Sequence, residues 1–388
     1  MRLHVFKKIK VIVFFTEIRE VMSESGLHLK ENRRETSSFK HSLDEPCAQC
    51  MSFHFSAAES EDTCVTCSVS LSLSLCLSLT SQPVTAPDSA WHTAGGLMMG
   101  KSAPLLPGLL LFSAVLVTAD GYRPVIIVHG LFDGPRQFSQ LASFIKQTHP
   151  GINVTTVDMY DDIASLKPLW EQVNSFRKAV GHIMENAKDG IHLICFSQGG
   201  LVCRGIIATL PKHNVHSLIF LSSPLSGQYG VTSYLRYAFP KCLKHLIYKL
   251  CYNCLGQKIS ICNFWNDPHQ RERYLKSNKY LALLNGEIKH PNLTEWRERF
   301  LGIKKLVLIG GPDDGVITPW QSSHFGFYNS KETVVEMKQQ DWYLSDVFGL
   351  KTLDSRGDLV QCVFSDVEHT HWHSNSTVYT NCIEKWLT

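Results

Sequence analysis

The residues best suited to do chemistry in this chain are Ser197 and the two glycines that follow it at 199 and 200. An apolar, strand-like run from Ile191 to Cys195 precedes the serine, and a helix-like run from Leu201 to Leu210 follows the glycines. A tight turn between a strand and a helix exposes a serine hydroxyl and aims the next backbone N–H at a developing oxyanion. The segment therefore predicts a nucleophilic serine, although the position two residues earlier, normally glycine in this pattern, is Cys195.

A nucleophilic serine needs a histidine to accept its proton and a carboxylate to hold that histidine in place. The chain offers both after Ser197, each directly after a strand-like run. Asp313 and Asp314 follow residues 305–309, and His369 follows residues 358–364. The order serine, aspartate, histidine is the one expected when each group ends a different strand of one parallel sheet. The residues alone leave the choice between the aspartates open, because Asp313 could instead cap the turn through backbone N–H groups.

Three histidines, His369, His371 and His373, compete for the role of base in a short alternating run. His369 lies closest to the strand end and is the predicted base, whereas the other two are interpreted as ordinary loop histidines. A glycosylation sequon begins at Asn375, so we expect His373 near the surface. The alternate spacing would also suit metal ligands, but it cannot supply the remaining ligands, and no metal site is predicted.

An oxyanion hole needs two hydrogen-bond donors. One predicted donor is the backbone N–H of Gln198, directly after the serine. The other is the backbone N–H of Leu131, in the loop after the strand-like run 124–129, where Gly130 allows a close backbone approach. The side chain of His129 is interpreted as structural.

These residues need a sheet to position them, and the pattern of residues 120–388 predicts one. Short apolar runs alternate with helix-like runs, which is typical of a doubly wound, mostly parallel sheet. Residues 227–299 interrupt this alternation and are rich in Tyr, Phe and Leu. They are predicted to form a helical cap with a hydrocarbon groove, or an ordinary helical subdomain. Strands are predicted at 124–129, 154–157, 191–195, 216–221, 305–309 and 358–364, and helices at 138–147, 166–186, 201–210 and 377–387.

Residues 1–97 lack the features of a domain, because they include a low-complexity run of Leu and Ser at 71–79. Two C-x-x-C pairs there (Cys47 with Cys50, Cys64 with Cys67) have the spacing of a zinc ribbon. No hairpin signal connects the pairs, and the segment is interpreted as a disordered or spurious extension. Residues 98–119 have the features of a signal peptide, with an apolar core too short for a stable membrane span. The predicted enzyme domain is therefore 120–388.

Composition indicates a globular protein of the secretory pathway rather than a nucleic-acid binder. The net charge is only +3 over 388 residues, and no block of five Lys or Arg residues occurs. Five of the thirteen cysteines come before Met98 and eight follow it, an even number that suits disulfides in an oxidising compartment. Three sequons, at Asn153, Asn292 and Asn375, predict N-glycosylation.

Four stretches of the chain resemble the palmitoyl-protein thioesterases. They are VIIVHGL at 125–131, HLICFSQGGLVCRG at 192–205, LSSP at 221–224 and LIGGPDDGVITPWQSS at 308–323. The resemblance covers about residues 122–388. It implies an α/β-hydrolase fold with a triad of Ser197, Asp314 and His369, and so favours Asp314 over Asp313. A cysteine in place of the first glycine, as at Cys195, is a feature of that family.

The same resemblance implies hydrolysis of long-chain fatty acyl thioesters without a cofactor, and lysosomal delivery through the secretory pathway. It also implies three disulfides, while Cys242 and Cys254 fall outside that pattern and could pair with each other. Two alternatives remain for the activity: an oxygen-ester lipase, which the same triad would serve, and a non-catalytic lipid carrier. The sequence assigns neither the acyl-chain length, nor the leaving thiol, nor the oligomeric state. The implied disulfides are Cys195–Cys203, Cys251–Cys262 and Cys362–Cys382.

Overall fold

Six parallel strands form the central sheet of the protein. The fold comes from a computed structural model, which describes residues 121–230, 244–245 and 247–388 together with four short strands nearer the N-terminus. Across the sheet the order is β12-β9-β8-β7-β5-β6, with every neighbouring pair parallel. The prediction of a parallel sheet flanked by helices is confirmed. The strands are β1 Lys30–Glu31, β2 Gln49–Met51, β3 Phe53–His54, β4 Leu75–Leu77, β5 Val125–Val128, β6 Val154–Thr156, β7 Ile191–Phe196, β8 Val215–Leu221, β9 Lys305–Gly310, β10 Phe327–Tyr328, β11 Val334–Val335 and β12 Leu359–Val363.

Both faces of the central sheet are covered, which explains why its inner strands are continuous apolar runs. Alternate residues of one strand enter different hydrophobic cores, as a side-chain period of two requires. In β5, for example, Ile126 and Val128 lie in one core, and Val125 and Ile127 lie in the other. Every residue of β7 is buried. The serine that follows β7 therefore lies between the ends of two neighbouring strands, β5 and β8.

Helices on both sides of the sheet complete the layers. The helix predicted at 166–186 begins only at Leu169, because Lys167 and Pro168 are extended and a 3₁₀ turn, Asp162–Leu166, comes before them. The α-helices are α1 Ser139–Thr148, α2 Leu169–Glu185, α3 Gln198–Thr209, α4 Ile247–Cys251, α5 Ser260–Phe264, α6 Arg271–Ser277, α7 Leu281–Leu284, α8 Leu293–Leu301, α9 Asp341–Leu344, α10 Leu350–Ser355 and α11 Ser376–Val378. Further 3₁₀ turns are Pro135–Phe138, Gly256–Lys258, Trp320–His324, Met337–Gln339, His369–His371 and Glu384–Trp386.

The prediction of one regular helix at 377–387 is wrong, because the helical pitch changes along the segment. The segment consists of α11, a π turn at Tyr379–Ile383 and the 3₁₀ turn at Glu384–Trp386. The apolar residues of this segment include pairs four positions apart, which is helical spacing, so the sequence pattern predicts a helix and does not indicate the change of pitch. These apolar residues are Val378, Tyr379, Cys382, Ile383 and Leu387.

The described part of the region that interrupts the alternation, residues 247–301, forms the five short helices α4 to α8. Buried amide side chains hold their connections together. Asn263 donates to the carbonyl of Gln257 at 2.8 Å, and Asn278 donates to the carbonyl of Asn263 at 2.9 Å. These contacts are those of an ordinary helical subdomain. Residues 231–243 and 246 of the predicted cap lie outside the described residues.

Several predictions for the N-terminal part of the chain also lie outside the described residues. These are the extension at 1–97, apart from the backbone of strands β1 to β4, and the signal peptide at 98–119. The side chains of the two C-x-x-C pairs belong to this group. Within the described residues, no helix is both long and apolar enough to cross a membrane.

Candidate active site

Ser197 occupies a strained turn between β7 and α3. Its backbone has φ 52° and ψ −128°, a conformation that a non-glycine residue adopts only where its surroundings enforce it. The neighbouring glycines make this turn possible. A Cβ on Gly199 would lie 2.4 Å from the carbonyl oxygen of His129, and a Cβ on Gly200 would lie 2.2 Å from the Oγ of Ser223. The turn therefore packs directly against the ends of β5 and β8, and larger residues would force these strands apart.

The structure brings the three predicted catalytic side chains together. The Oγ of Ser197 lies 2.9 Å from Nε2 of His369, and Nδ1 of the same ring lies 2.9 Å from Oδ2 of Asp314. All three residues are buried. A backbone hydrogen bond from His369 to the carbonyl of Asp314, at 2.9 Å, joins the two loops that carry the base and the carboxylate. Such an arrangement can pass a proton from the serine hydroxyl to the imidazole while the carboxylate stabilises the resulting charge.

Asp314 is held by more than its histidine. Its Oδ1 accepts hydrogen bonds from the backbone N–H groups of Val316 and Ile317, and its Oδ2 accepts from Ser222 Oγ and Trp372 Nε1. Burial alone would raise the pKa of this carboxyl group. The charge of His369 and the hydrogen bonds outweigh burial and lower the pKa of Asp314 to about 2. The carboxylate is therefore ionised throughout the pH range in which an imidazole can act as a base.

Asp313 lies in a different environment from its neighbour. It is exposed, and its Oδ2 accepts a hydrogen bond from the backbone N–H of Asp366 at 2.8 Å. This contact is a turn-stabilising role of the kind weighed for Asp313 from the sequence. The geometry thus separates the two aspartates, one facing the histidine and the other stabilising a loop.

The other two histidines of the run differ from each other. His371 is exposed, whereas His373 is buried, with its ring centroid 4.8 Å from that of Phe138 and 5.2 Å from that of Phe196. The prediction that His373 lies near the surface is therefore wrong. Its side chain turns inward against two aromatic rings that are distant in sequence, while the sequon at 375–377 remains at least partly exposed. Burial lowers the pKa of His373 to about 4.

The loop after β5 contacts the nucleophile from the opposite side. A Cβ on Gly130 would lie only 2.8 Å from the Cβ of Ser197, so the backbone that leads into Leu131 passes directly beside the serine. The His129 side chain makes contacts that hold this loop: Nδ1 lies 3.0 Å from the carbonyl oxygen of Gly130, and Nε2 lies 2.8 Å from the carbonyl oxygen of Met159 and 3.2 Å from Oδ1 of Asp161. This placement fits a structural role for His129. It leaves the amides of Leu131 and Gln198 as the candidate oxyanion donors.

Among the described residues the structure has three disulfides, and they join the same cysteines that the resemblance implies: Cys195–Cys203, Cys251–Cys262 and Cys362–Cys382. The first links the strand before Ser197 to the helix after it, across the nucleophile turn. Cys254 has a free, exposed thiol, and Cys242 lies outside the described residues. Asn153 and Asn292 are exposed, and the Oδ1 of Asn375 caps α11.

One possible set of metal ligands occurs among the described residues, apart from the triad: His245, His269 and Glu332. Each of these residues already has a partner. His269 Nε2 lies 2.9 Å from Glu332 Oε1, Lys244 donates to Glu332 Oε2, and the Tyr229 hydroxyl lies 2.9 Å from His245 Nδ1. These pairings account for the cluster without an ion, and we assign no metal to it.

Three residues that support the site were not predicted from the sequence. Ser222 and Trp372 donate hydrogen bonds to Asp314. Ser165 has hydrogen bonds with Phe132 and Gln198, next to or at the candidate oxyanion donors. Ser222 had a usable signal, since it is the first residue after β8, the strand next to the nucleophile strand. Ser165 and Trp372 had none, because their contacts join segments that are distant in sequence.

Comparisons with known proteins identify the family of the chain. A family model described as palmitoyl protein thioesterase matches residues 124–369. Lysosomal thioesterase PPT2 of Rattus norvegicus is 56% identical over 284 residues, which cover 73% of this chain and 94% of the relative. The Homo sapiens protein of the same name is 55% identical over 284 residues, with the same coverage of both chains. The Drosophila melanogaster homolog of PPT2 is 38% identical over 283 residues, covering 73% of this chain and 98% of the relative.

Among solved structures, the mature lipase BlEst2 of Bacillus licheniformis is similar with a TM-score of 0.40 and 15% sequence identity. The match covers 69% of this chain and 94% of the lipase. That likeness is weak, so the fold assignment depends on the sheet order and on the family. The parallel sheet, with a serine at the end of a central strand, is an α/β-hydrolase fold. The chain belongs to the palmitoyl protein thioesterase family.

Proposed function

We propose that this protein is a serine thioesterase that hydrolyses long-chain acyl thioesters, such as palmitoyl-CoA or an S-acylated cysteine. Ser197 is the nucleophile, His369 the general base and Asp314 the carboxylate that orients the base. The observation that carries this proposal is the continuous hydrogen-bonding geometry from Ser197 Oγ through both ring nitrogens of His369 to Asp314, with 2.9 Å at each step.

In the first half of the reaction, Ser197 Oγ attacks the thioester carbonyl while His369 Nε2 takes the hydroxyl proton. The negative charge that develops on the carbonyl oxygen is stabilised by the backbone N–H groups of Gln198 and Leu131. The carbon–sulfur bond then breaks, leaving an acyl group on Ser197. Because a thiolate leaves readily, bond breaking needs little acid assistance. The proton on His369 passes to the departing sulfur, which leaves as the thiol and restores the neutral imidazole.

In the second half, a water molecule attacks the acyl-enzyme. His369 takes a proton from the water, the same two amides stabilise the second tetrahedral intermediate, and the proton returns to Ser197 as the fatty acid leaves. Asp314 keeps its negative charge throughout, in line with its lowered pKa. It stabilises the imidazolium and fixes the ring orientation.

The family description supports a palmitoyl-type acyl chain, and the relatives named lysosomal thioesterase support a lysosomal enzyme that travels through the secretory pathway. Disulfides at the nucleophile turn and elsewhere suit that route. Within the proposal, residues 98–119 are a signal peptide and residues 120–388 are the enzyme domain. Asn153, Asn292 and Asn375 are its glycosylation sites. N-terminal sequencing and glycosidase treatment of the secreted protein test these assignments.

The central test replaces Ser197 with Ala in the purified protein and measures hydrolysis of palmitoyl-CoA. We expect kcat to fall by about 10⁴-fold or more, since the variant retains binding and the oxyanion donors but has no nucleophile. The matched control is Ser217→Ala, which removes another buried hydroxyl, one that donates to the carbonyl of Trp386 at 2.8 Å. Near-normal turnover by the Ser197 variant would overturn the proposal.

A second arm separates a thioesterase from an oxygen-ester lipase. Matched palmitoyl thioester and palmitoyl ester substrates are compared on the wild-type protein. We expect kcat/KM to favour the thioester. An equal or higher value for the ester would assign the triad to lipase chemistry.

A further inference from the structure

The loop that carries the candidate oxyanion donor Leu131 lies along a second loop, residues 158–166. Several contacts join the two loops. The backbone N–H of Asp162 donates to the carbonyl of Asp133 at 2.9 Å, His129 Nε2 lies 2.8 Å from the carbonyl oxygen of Met159, and the backbone N–H of Phe132 donates to Ser165 Oγ at 2.8 Å. The second loop therefore supports the first along its length, and Ser165 provides the contact nearest to Leu131.

Ser165 also contacts the other candidate donor residue. Its backbone carbonyl accepts a hydrogen bond from the side-chain Nε2 of Gln198 at 2.8 Å. The same carbonyl accepts from Nε2 of Gln172 at 2.8 Å, and Gln172 also donates to the carbonyl of Lys167 at 2.7 Å. Ser165 is 1% exposed, so these bonds are shielded from water. One buried residue thus connects the loop after β5 with the first turn of α3.

The bond to Phe132 acts at a strained position. Phe132 has φ 58°, in the left-handed region that costs an L-residue about 1–2 kcal/mol. Its N–H belongs to the peptide plane that directly follows Leu131, so the hydrogen bond to Ser165 fixes the orientation of that plane. Relaxation of Phe132 would rotate the backbone at Leu131 and move its N–H relative to the oxyanion.

We propose that Ser165 is a positioning residue for the oxyanion hole, setting Leu131 through its hydroxyl and Gln198 through its carbonyl. This inference rests on the proposed function, because it presumes that these two amides stabilise the tetrahedral intermediates. Ser165 does not touch the substrate; it acts through the residues that do. Since the oxyanion exists only along the reaction path, the loss of this support lowers kcat and leaves KM unchanged.

The test compares Ser165→Ala with Ser165→Cys, which is nearly the same size but offers only a weakly accepting sulfur. Ser217→Ala is the matched control. Ser217 is also 1% exposed, and its hydroxyl donates one hydrogen bond to a backbone carbonyl, that of Trp386. It pairs with His192 near the start of β7, whereas Ser197 follows the end of that strand. Three quantities are measured for each protein: kcat and KM for palmitoyl-CoA, the inhibition constant of a long-chain trifluoromethyl ketone, and thermal stability. The ketone forms a tetrahedral adduct with a serine nucleophile and so reports on the oxyanion hole directly.

Removing an oxyanion donor altogether costs about 10²–10³-fold in kcat, and displacing one costs less. We expect kcat of Ser165→Ala and Ser165→Cys to fall roughly 10-fold, with the affinity for the ketone falling in parallel and KM unchanged. Ser217→Ala keeps both kcat and ketone affinity even if its melting temperature falls as much. If either Ser165 variant does not fold, the other supplies the comparison. Turnover is measured well below each melting temperature, so that thermal unfolding does not contribute to the loss of activity.

The inference is overturned if a folded Ser165 variant keeps its kcat and ketone affinity, or if the Ser217 control loses both to the same extent. Its failure is distinguishable from failure of the proposed function. If only the inference fails, Ser197→Ala still abolishes turnover. If the proposed function fails, the Ser197→Ala protein retains turnover.

Discussion

The two sides of Ser197 are held in place by different kinds of contact. On the base side, defined by Asp314, His369, Ser222 and Trp372, polar side chains bind one another and a buried charge. On the oxyanion side, defined by Gly130, Leu131, Gln198 and Gly199, backbone segments pack so closely that glycine is required at two positions. The base side controls where a proton and a charge reside, whereas the oxyanion side controls the position of neutral N–H groups.

This difference predicts how each side fails. A substitution on the base side changes charge with little change of shape, so it acts on catalysis more than on folding. A substitution on the oxyanion side changes the distance between backbone segments, so it acts on geometry and stability together. The following predictions test that distinction.

The largest effect is expected for Asp314→Asn. The amide can neither stabilise the imidazolium nor hold the histidine in the correct tautomer, and kcat for palmitoyl-CoA should fall by about 10³–10⁴-fold. Because the pKa of Asp314 is about 2, the wild-type carboxylate is ionised at every pH from 4 to 7, so the two proteins differ there by one negative charge. Steady-state kinetics of both proteins at neutral pH measure the loss.

Asp313→Asn is the matched control, because it is the neighbouring residue and carries the same chemical change. Its carboxylate faces Asp366 rather than the histidine. We expect its kcat to stay within about 3-fold of wild type, since it alters only an exposed turn contact. A larger loss of kcat in Asp313→Asn than in Asp314→Asn would mean that Asp313, and not Asp314, supports the base.

A smaller loss of activity, accompanied by a loss of stability, is expected for Gly199→Ala. The new Cβ would lie 2.4 Å from the carbonyl oxygen of His129 and 2.5 Å from that of Val128, so α3 must move away from β5. We expect kcat to fall about 10²-fold as the oxyanion donors separate, and the free energy of unfolding to fall by about 2 kcal/mol. Denaturant unfolding and turnover are measured on the same preparation.

Gly181→Ala supplies the control for this change. Gly181 lies inside α2, where the nearest atom to an added Cβ is 3.6 Å away. The same methyl group should stabilise that helix by about 0.5–1 kcal/mol and leave kcat unchanged. If Gly199→Ala behaved like this control, close backbone packing would not define the oxyanion side.

The smallest effect concerns a buried neutral histidine beside the base. The folded-state pKa of His373 is about 4, below its ordinary value of 6.5, so the unfolded chain binds a proton first as the pH falls. The contribution of this residue therefore makes the free energy of unfolding decrease as the pH falls from 6.5 to 4. His373→Leu should reduce the difference in unfolding free energy between pH 7 and pH 4.5 by about 2 kcal/mol.

Urea unfolding at the two pH values tests this prediction, with His371→Leu as the exposed control. The control should leave the pH dependence of stability as it is in the wild type. An unchanged pH dependence in the His373 variant would mean that this ring is not held neutral in the folded protein.

The sequence was informative where the physical signal is local. Mainly apolar runs such as 191–195, bounded by turn residues, indicate buried parallel strands, and Ser197 follows from its place after one of them. Chain order leaves both Asp313 and Asp314 as candidates, and the family resemblance favours Asp314. Burial of His373 could not be predicted, because it depends on Phe138, which is more than 200 positions away in the chain. The contacts of Ser165 could not be predicted for the same reason, because serine is common and only the tertiary fold distinguishes this one. Ser222 differs, since its place directly after β8 was a usable signal.

The most direct test of the account is to stop turnover of palmitoyl-CoA with acid and locate any acyl group on the protein by peptide mass spectrometry. We expect a palmitoyl ester on Ser197 of the wild-type protein and none on the Ser197→Ala protein. An acyl group on another residue, or turnover by the Ser197→Ala protein, would contradict it.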